Sequence, residues 1–300
     1  ETPGASVVLV GRPEVLEPLL AKSRSPARDR ARIRAATEVV EMDDPPADAL
    51  RRKKDSSMRV AINLVKDGEA DGCVSAGNTG ACVLACARSF KLIPGVRRAA
   101  LATVYPTQAV HGSKSDPFSL ILDVGATVDA TADDLVSFAV MGAAYARIIS
   151  KNPNPTVALL SNGTEAQKGP PRVVEANERL RSVKGLQFIG NVEGVDIPRG
   201  TADVIVCDGF VGNVCLKMLE GVHETVLELA KYAYKEKLLW RAGLAMLSSG
   251  FERIKEVTDW EQYGGAPILG FDRLFIKAHG RSKARAIANV EQNGIVFIDE

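Results

Sequence analysis

Three hundred residues, 46% hydrophobic and 25% charged with a net charge of +1, have the make-up of a globular chain with ample core. That length suits one large α/β domain or two smaller lobes, and the near-zero charge gives no support for a nucleic-acid surface or a strongly acidic partner. No apolar run reaches about 18 residues, so nothing in the sequence reads as a membrane span. Cys73, Cys82, Cys86, Cys207 and Cys215 match no zinc spacing; they read as buried free thiols of a reducing cytoplasm, with no metal or cofactor implied. The sequence shows no signal-peptide pattern, and because the chain opens at Glu1 without Met, a native N-terminus is expected to be missing or disordered.

Ser6–Val10 (SVVLV) predicts a strand, and Pro13 suits the first turn of the helix that follows. Ile33–Ala36 predicts a second strand and Asp43–Ala47 (DDPPA) a linker or turn. Arg51-Arg52-Lys53-Lys54 with Ser56-Ser57 leads into a helix over Met58–Lys66; the run reads either as an anion site or as a solvated charge cluster. Asp71–Cys82 (DGCVSAGNTGAC) is the stretch around which the chain is organised. A buried strand ends at Cys73-Val74, the loop Ser75-Ala76-Gly77-Asn78-Thr79-Gly80 follows, and Ala81–Phe90 reads as an apolar helix. Strand, glycine loop and helix aim backbone N–H groups and a helix dipole at an anion. The same residues also fit an ordinary βα turn capped by Asn78 or Thr79, and both readings stay open.

Ala99–Tyr105 predicts a buried strand and Thr107–Phe118 a mobile loop. Ser119–Val124 predicts a strand whose end carries Asp123 beside Gly125, where open α/β sheets place ligand-facing residues. A helix over Ala132–Ser150 and a strand over Pro155–Leu160 follow. That strand delivers Ser161-Asn162-Gly163-Thr164-Glu165, with Lys168 and Gly169 close behind. A helix over Val173–Ser182 and strands over Leu186–Val192 and Ala202–Cys207 lead to Asp208-Gly209-Phe210-Val211-Gly212-Asn213 and a long helix. The recurring βα rhythm argues for a mainly parallel, doubly wound sheet with helices on both faces. Trp240, Leu244, Leu247, Phe251 and Ile254 fall on one helical stripe, read either as a core or dimer face or as a helix lying in a membrane interface. Tyr263–Ala266 predicts a turn, Leu274–Ala278 a last strand, and Ser282–Gln292 a helix. His279 follows that strand and reads either as an acid or base or as a structural turn residue.

Three loops are built alike, since SAGNTGA, NGTEAQKG and DGFVGN each set Asn and Gly near a helix start. They are rich in backbone donors and short of nucleophiles, a pattern suited to phosphoryl or acyl chemistry in which positioning and oxyanion stabilisation dominate. The sequence contains no GxGxxG, no GxxxxGK[ST], no HExxH and no GxSxG.

RRKKDSSM, SAGNTGA, LDVGATVDA, NGTEAQKG, IGNVEG, DGFVGN, YGGA and the closing KAHG appear in that order from about Val7 to about Val290. On these motifs the chain resembles the bacterial phosphate:acyl-acyl carrier protein acyltransferases of phospholipid synthesis. The resemblance implies transfer of a long-chain fatty acyl group from acyl carrier protein to inorganic phosphate, giving acyl phosphate. It also implies an isocitrate/isopropylmalate dehydrogenase-like fold, a homodimer, and a cytoplasmic protein attached peripherally to the inner membrane surface. With it, residues 1–300 are expected to form a single α/β domain with protruding amphipathic helices at 236–258. Carried onto this chain, the substrate site comprises Ser75, Gly77, Asn78, Thr79, Gly80, Asp123, Asn162, Gly163, Thr164, Glu165, Asp208, Gly209 and Gly212. Lys168, Asn213 and His279 are the expected catalytic residues, and Trp240, Leu244, Leu247 and Phe251 the membrane contacts.

The expected mechanism places phosphate on the amides of Ser75–Gly80, held further by Asn213 and Lys168. Phosphate attacks the thioester directly, Asn162 or neighbouring amides stabilise the oxyanion, and the pantetheine thiol leaves. Two features depart from the family pattern: its opening strand and D-A-M-G-G-D loop lie upstream of Glu1, and Thr127 stands where the family's LDVGAN has Asn. The alternatives are a decarboxylating dehydrogenase of the same architecture and a non-catalytic phosphate-binding module.

Overall fold

The structure, a computed structural model, describes residues 5–112, 116–236 and 265–278 and the single positions 240, 243, 246, 280, 282, 284 and 287. The chain forms two compact units, one of residues 1–101 and 261–300, the other of residues 102–260.

In the first unit, β1 (Val7–Gly11) and β2 (Ala31–Ala35) pair in parallel through the helix α1 (Pro13–Lys22), with Pro13 in its first turn as the sequence predicts. The DDPPA stretch is more than a turn. Pro45 and Pro46 open α2 (Pro46–Arg52), because a proline at the first helical position sacrifices an N–H that has no intrahelical acceptor anyway. The basic run that follows is a solvated surface with local partners: Arg51 pairs with Asp48, and Lys53 pairs with Asp44 and donates to Val39 O. The helix α3 (Ser57–Lys66) buries Met58, Ile62, Leu64 and Val65, then β3 (Gly72–Ser75) leads into α4 (Thr79–Ser89). The next strand, β4 (Ala100–His111), begins in this unit and continues into the second.

In the second unit, β5 (Asp116–Leu122) runs antiparallel to β4. The mobile loop expected over Thr107–Phe118 is therefore corrected: most of it forms two arms of a hairpin. Pro106, Gly112 and Pro117 read as breaks, but Pro106 sits where the ladder register shifts, and there a missing N–H is tolerated. The helix α5 (Ala132–Ile149) starts on a reciprocal capping box between Thr131 and Asp134. Then come β6 (Thr156–Leu160), α6 (Pro171–Leu180), β7 (Gln187–Val192), the short α7 (Asp196–Arg199), β8 (Val204–Val206) and α8 (Gly209–Glu236). Strands β5, β8, β6 and β7 lie side by side in parallel, in that order. Ile121, Leu122, Val157, Ala158, Leu159 and Val204–Val206 are buried, which is why these strands read as continuous apolar runs rather than alternating ones. Phe138 of α5 is fully buried; its truncation to Ala is expected to cost about 3–5 kcal/mol.

The chain returns to the first unit with β9 (Ala266–Leu269) and β10 (Leu274–Lys277). Strand β10 pairs in parallel with β3 and antiparallel with β9, and β9 pairs with the first residues of β4. Strand β9 begins where the sequence predicts a turn, since its four residues, Pro267 among them, are too short and too broken to show a period of two. Most ladders are parallel, so the expected mainly parallel α/β architecture holds. Leu244, Leu247, Phe251 and His279, with most of 236–258, lie outside the described residues. Trp240 is helical and exposed. No helix among the described residues is long and apolar enough to cross a membrane.

Candidate anion-binding site

The organising loop of the first unit is held by its own neighbours. Asn78 is the N-cap of α4: its Oδ1 accepts from Ala81 N at 3.0 Å, while its Nδ2 donates to Met42 O and Asp44 O at 2.9 and 3.2 Å. A Cβ on Gly77 would lie 2.9 Å from Met58, and one on Gly80 would lie 2.8 Å from Pro46. These glycines thus serve close packing, and the Asn78 side chain is spent on the cap and on the 42–44 backbone. The capped βα turn accounts for this side chain. Thr79 and Gly80 remain partly or fully exposed at the helix start, where orphan N–H groups gather.

In the second unit, three strand-end loops meet at the carboxyl ends of β5, β8 and β6. Asp123 leaves β5 fully buried, and its carboxylate accepts from the amides of Gly125, Ala126 and Thr127. Through these bonds it shapes its own loop. Gly209 N donates to Thr127 O at 2.9 Å, and Asn213 Nδ2 donates to Val124 O at 2.9 Å, locking this loop to the start of α8. Glycine is forced here: a Cβ on Gly212 would sit 1.9 Å from Asp123 O and 2.8 Å from Cys207 Sγ. A Cβ on Gly209 would meet Asp123 Oδ2 at 2.7 Å.

Asp208 caps α8 through Oδ1, which accepts from Val211 N at 2.8 Å, and through Oδ2 it accepts from Arg172 at 2.7 Å. Arg172 stands where the loop after β6 enters α6, so this ion pair ties the third loop to the other two. In that loop Asn162, Thr164, Glu165 and Lys168 are partly or fully exposed and Gly163 is buried. Asn191, at the end of β7, holds the loop from beneath by donating to Glu165 O and Lys168 O, and itself accepts from Asn177 at 2.8 Å. Lys168 and Asn213 thus belong to one connected set of loops.

Arg172 and Asn191 escape the sequence reading. Asn191 lies inside a strand pattern, with no signal that its side chain reaches under a neighbouring loop. Arg172 does leave a trace: it is a cation at the second position of a helix, the end where the dipole disfavours positive charge by about 0.3–1 kcal/mol.

The thiols are unactivated. Burial pushes Cys73 up to about 12 and Cys82 up to about 11, and burial raises Cys86, Cys207 and half-buried Cys215 as well. A thiol held protonated is a poor nucleophile. No group of three or more His, Cys, Asp or Glu among the described residues is placed to hold a metal ion.

Residues 1–297 match the family model described as fatty acid synthesis protein. The chain belongs to this family. Similar curated proteins include the phosphate acyltransferases of Bordetella petrii, 45% identical over 95% of this chain and 78% of that one, and of Heliobacterium modesticaldum, 45% identical over 98% and 88%. Among solved structures, a phosphotransacetylase from Streptococcus pyogenes superposes with a TM-score of 0.62 at 18% identity, covering 97% of this chain and 85% of that one. A branched-chain phosphotransacylase from Enterococcus faecalis gives 0.54 at 14%, covering 98% and 99%. At such identities the likeness shows a shared fold and nothing more.

Proposed function

We propose that this chain transfers a long-chain fatty acyl group from acyl carrier protein to inorganic phosphate, giving acyl phosphate for phosphatidic acid and phospholipid synthesis. Membership of the fatty acid synthesis protein family and the phosphate acyltransferase relatives support the reaction. The observation that carries the site is the joining of three strand-end loops of the second unit through Asn213–Val124 and Arg172–Asp208.

Chemically, the site offers positioning and charge rather than a nucleophile. A phosphate oxygen attacks the thioester carbon; a C–O bond forms, the C–S bond breaks, and the phosphate's proton goes to the departing pantetheine sulfur. Lys168 supplies positive charge for the phosphate, and Asn162 supplies an N–H for the oxyanion at the former carbonyl. Asn213 acts by holding the Val124 turn against α8. The raised thiols favour direct attack over an acyl-cysteine intermediate.

The reading extends to a homodimer resting on the inner surface of the membrane. Phe210, Val214, Met218, Val222, Val226 and Leu229 recur every third or fourth residue along α8 and are exposed, which supports burial of this face against a second copy. Exposed Trp240 begins the stripe assigned to the membrane. Flotation with anionic vesicles that survives Leu244→Glu with Leu247→Glu would remove the membrane assignment.

The deciding assay mixes the protein with palmitoyl-acyl carrier protein and phosphate. Phosphate-dependent release of carrier thiol, with acyl phosphate captured by hydroxylamine, is the expected result. Thiol release that ignores phosphate, or no release, overturns the proposal.

A further inference from the structure

We propose that Arg172 binds the phosphate substrate directly and that Asp208 holds its guanidinium in place to do so. This inference rests on the function proposed above and names a residue of its site.

A cation in the first turn of α6 is on the wrong end of the helix dipole, so something other than helix stability keeps it there. The two preceding residues, Pro170 and Pro171, carry no N–H, so Arg172 supplies the first main-chain donor of the helix. Its side chain reaches Asp208 at the head of α8, bringing the positive ends of two helices to one ion pair. The pair is lopsided. Asp208 is 4% exposed and both its oxygens are engaged, whereas the Arg172 side chain is 35% exposed.

The guanidinium is also under-used. A single nitrogen, Nη2, meets the carboxylate, and Nε is buried with no acceptor. An arginine placed only to neutralise Asp208 would be expected to engage it through two nitrogens, since the planar fork suits that geometry. A buried unsatisfied donor is unfavourable, and a small rotation toward an incoming anion would relieve it. Lys168, exposed four residues earlier in the same loop, adds a second cation. A tetrahedral dianion with several acceptor oxygens fits this arrangement: one edge of the guanidinium stays on Asp208 and the other takes two phosphate oxygens.

The test compares wild type with Arg172→Gln and Arg172→Lys in the acyl-transfer assay, varying phosphate and acyl carrier protein separately. For Arg172→Gln, KM for phosphate rises more than tenfold while KM for the acylated carrier protein stays within twofold. Arg172→Lys keeps a charge for Asp208 but cannot span two partners, so its KM for phosphate rises about three- to tenfold. An unchanged KM for phosphate in either variant overturns the proposal. So does full recovery in Arg172→Gln with Asp208→Asn, since Arg172 would then merely silence a carboxylate. A second readout needs no turnover: inorganic phosphate raises Tm of the wild type and not of Arg172→Gln. If the wild type makes no acyl phosphate yet shows that Arg172-dependent shift, the inference stands and the proposed reaction fails; an equal shift in both proteins sinks the inference alone.

Discussion

The two ends of the parallel strands in the second unit are both built around a buried aspartate, and they use it differently. At the amino ends, Asp203 accepts from Thr156 N at 2.8 Å, from Thr156 Oγ1, from Asn152 at 2.9 Å and from His111 Nδ1 at 3.1 Å. Every donor comes from the neighbouring strands or their flanks, and the network is closed. His111 Nε2, on the far side of the ring from Asp203, is buried there without a hydrogen-bond partner. At the carboxyl ends, Asp208 has one cap amide and one arginine, and that arginine is partly exposed with a buried donor unmet. A closed carboxylate network stabilises a fold; a carboxylate that aims a half-exposed cation prepares a site. Substitution of Asp203 should therefore move stability, and substitution of Arg172 substrate affinity.

The largest expected effect lies where the carboxyl-end loops interlock. Gly212→Ala puts a methyl group 1.9 Å from Asp123 O, and backbone on both sides must shift. A loss of about 3 kcal/mol, the upper end of overpacking costs, is expected in chemical denaturation. A loss under about 1 kcal/mol would mean the loops are not locked as described, and the contrast between the two ends would weaken.

Asp203→Asn tests the closed end. Burial pushes this carboxyl up, but the hydrogen bonds from His111 and from the Thr156 side chain and backbone, with the electrostatic pull of His111, outweigh it and hold it well below the usual range. A depressed folded-state value means the stabilisation is present above the unfolded value near 4 and is lost as pH falls through the folded one. Asp203→Asn should therefore lose about 2 kcal/mol at pH 7, and its deficit against wild type should shrink below about pH 4. A deficit constant from about pH 7 to about pH 3 would show that charge is not what the network holds.

Much of this contrast is legible in the sequence, and what stays hidden has a common cause. The parallel core strands announce themselves because β-branched, continuously apolar runs such as Val204–Val206 are buried on both faces. Gly209 and Gly212 stand out because DGFVGN is built like two other strand-to-helix loops of the chain, SAGNTGA and NGTEAQKG. The hairpin arms over Thr107–Phe118 hide because proline and glycine signal breaks locally, while the ladder that tolerates them is set by a distant partner strand. Asp123 is ambiguous for a similar reason. Its position at a strand end is as expected, but a side chain that curls back onto three amides of its own loop looks, in sequence, the same as one that faces a ligand. Arg172 and Asn191 act across elements, and cross-element pairing has no period.

Asn213→Ala comes next in size. It removes the 2.9 Å bond to Val124 O and leaves that carbonyl without this donor, worth about 1 kcal/mol of stability. Because the bond positions the turn after β5 against α8, kcat/KM should fall further than stability does, by about tenfold. Equal losses in Asn213→Ala and Asn213→Asp would argue that packing, not the N–H, is what matters there.

Lys168→Gln sharpens the comparison at its open end. The side chain is exposed, so stability should change by less than about 0.5 kcal/mol. If the ammonium gathers phosphate, KM for phosphate rises severalfold. An exposed cation is screened by salt, with a Debye length of about 10 Å at 0.1 M falling to about 3 Å at 1 M. The difference between Lys168→Gln and wild type should accordingly narrow as salt is raised, whereas the difference made by Arg172→Gln, anchored on a buried carboxylate, should persist. If both narrow alike, the two cations form one diffuse positive surface and Asp208 does not aim Arg172 at all.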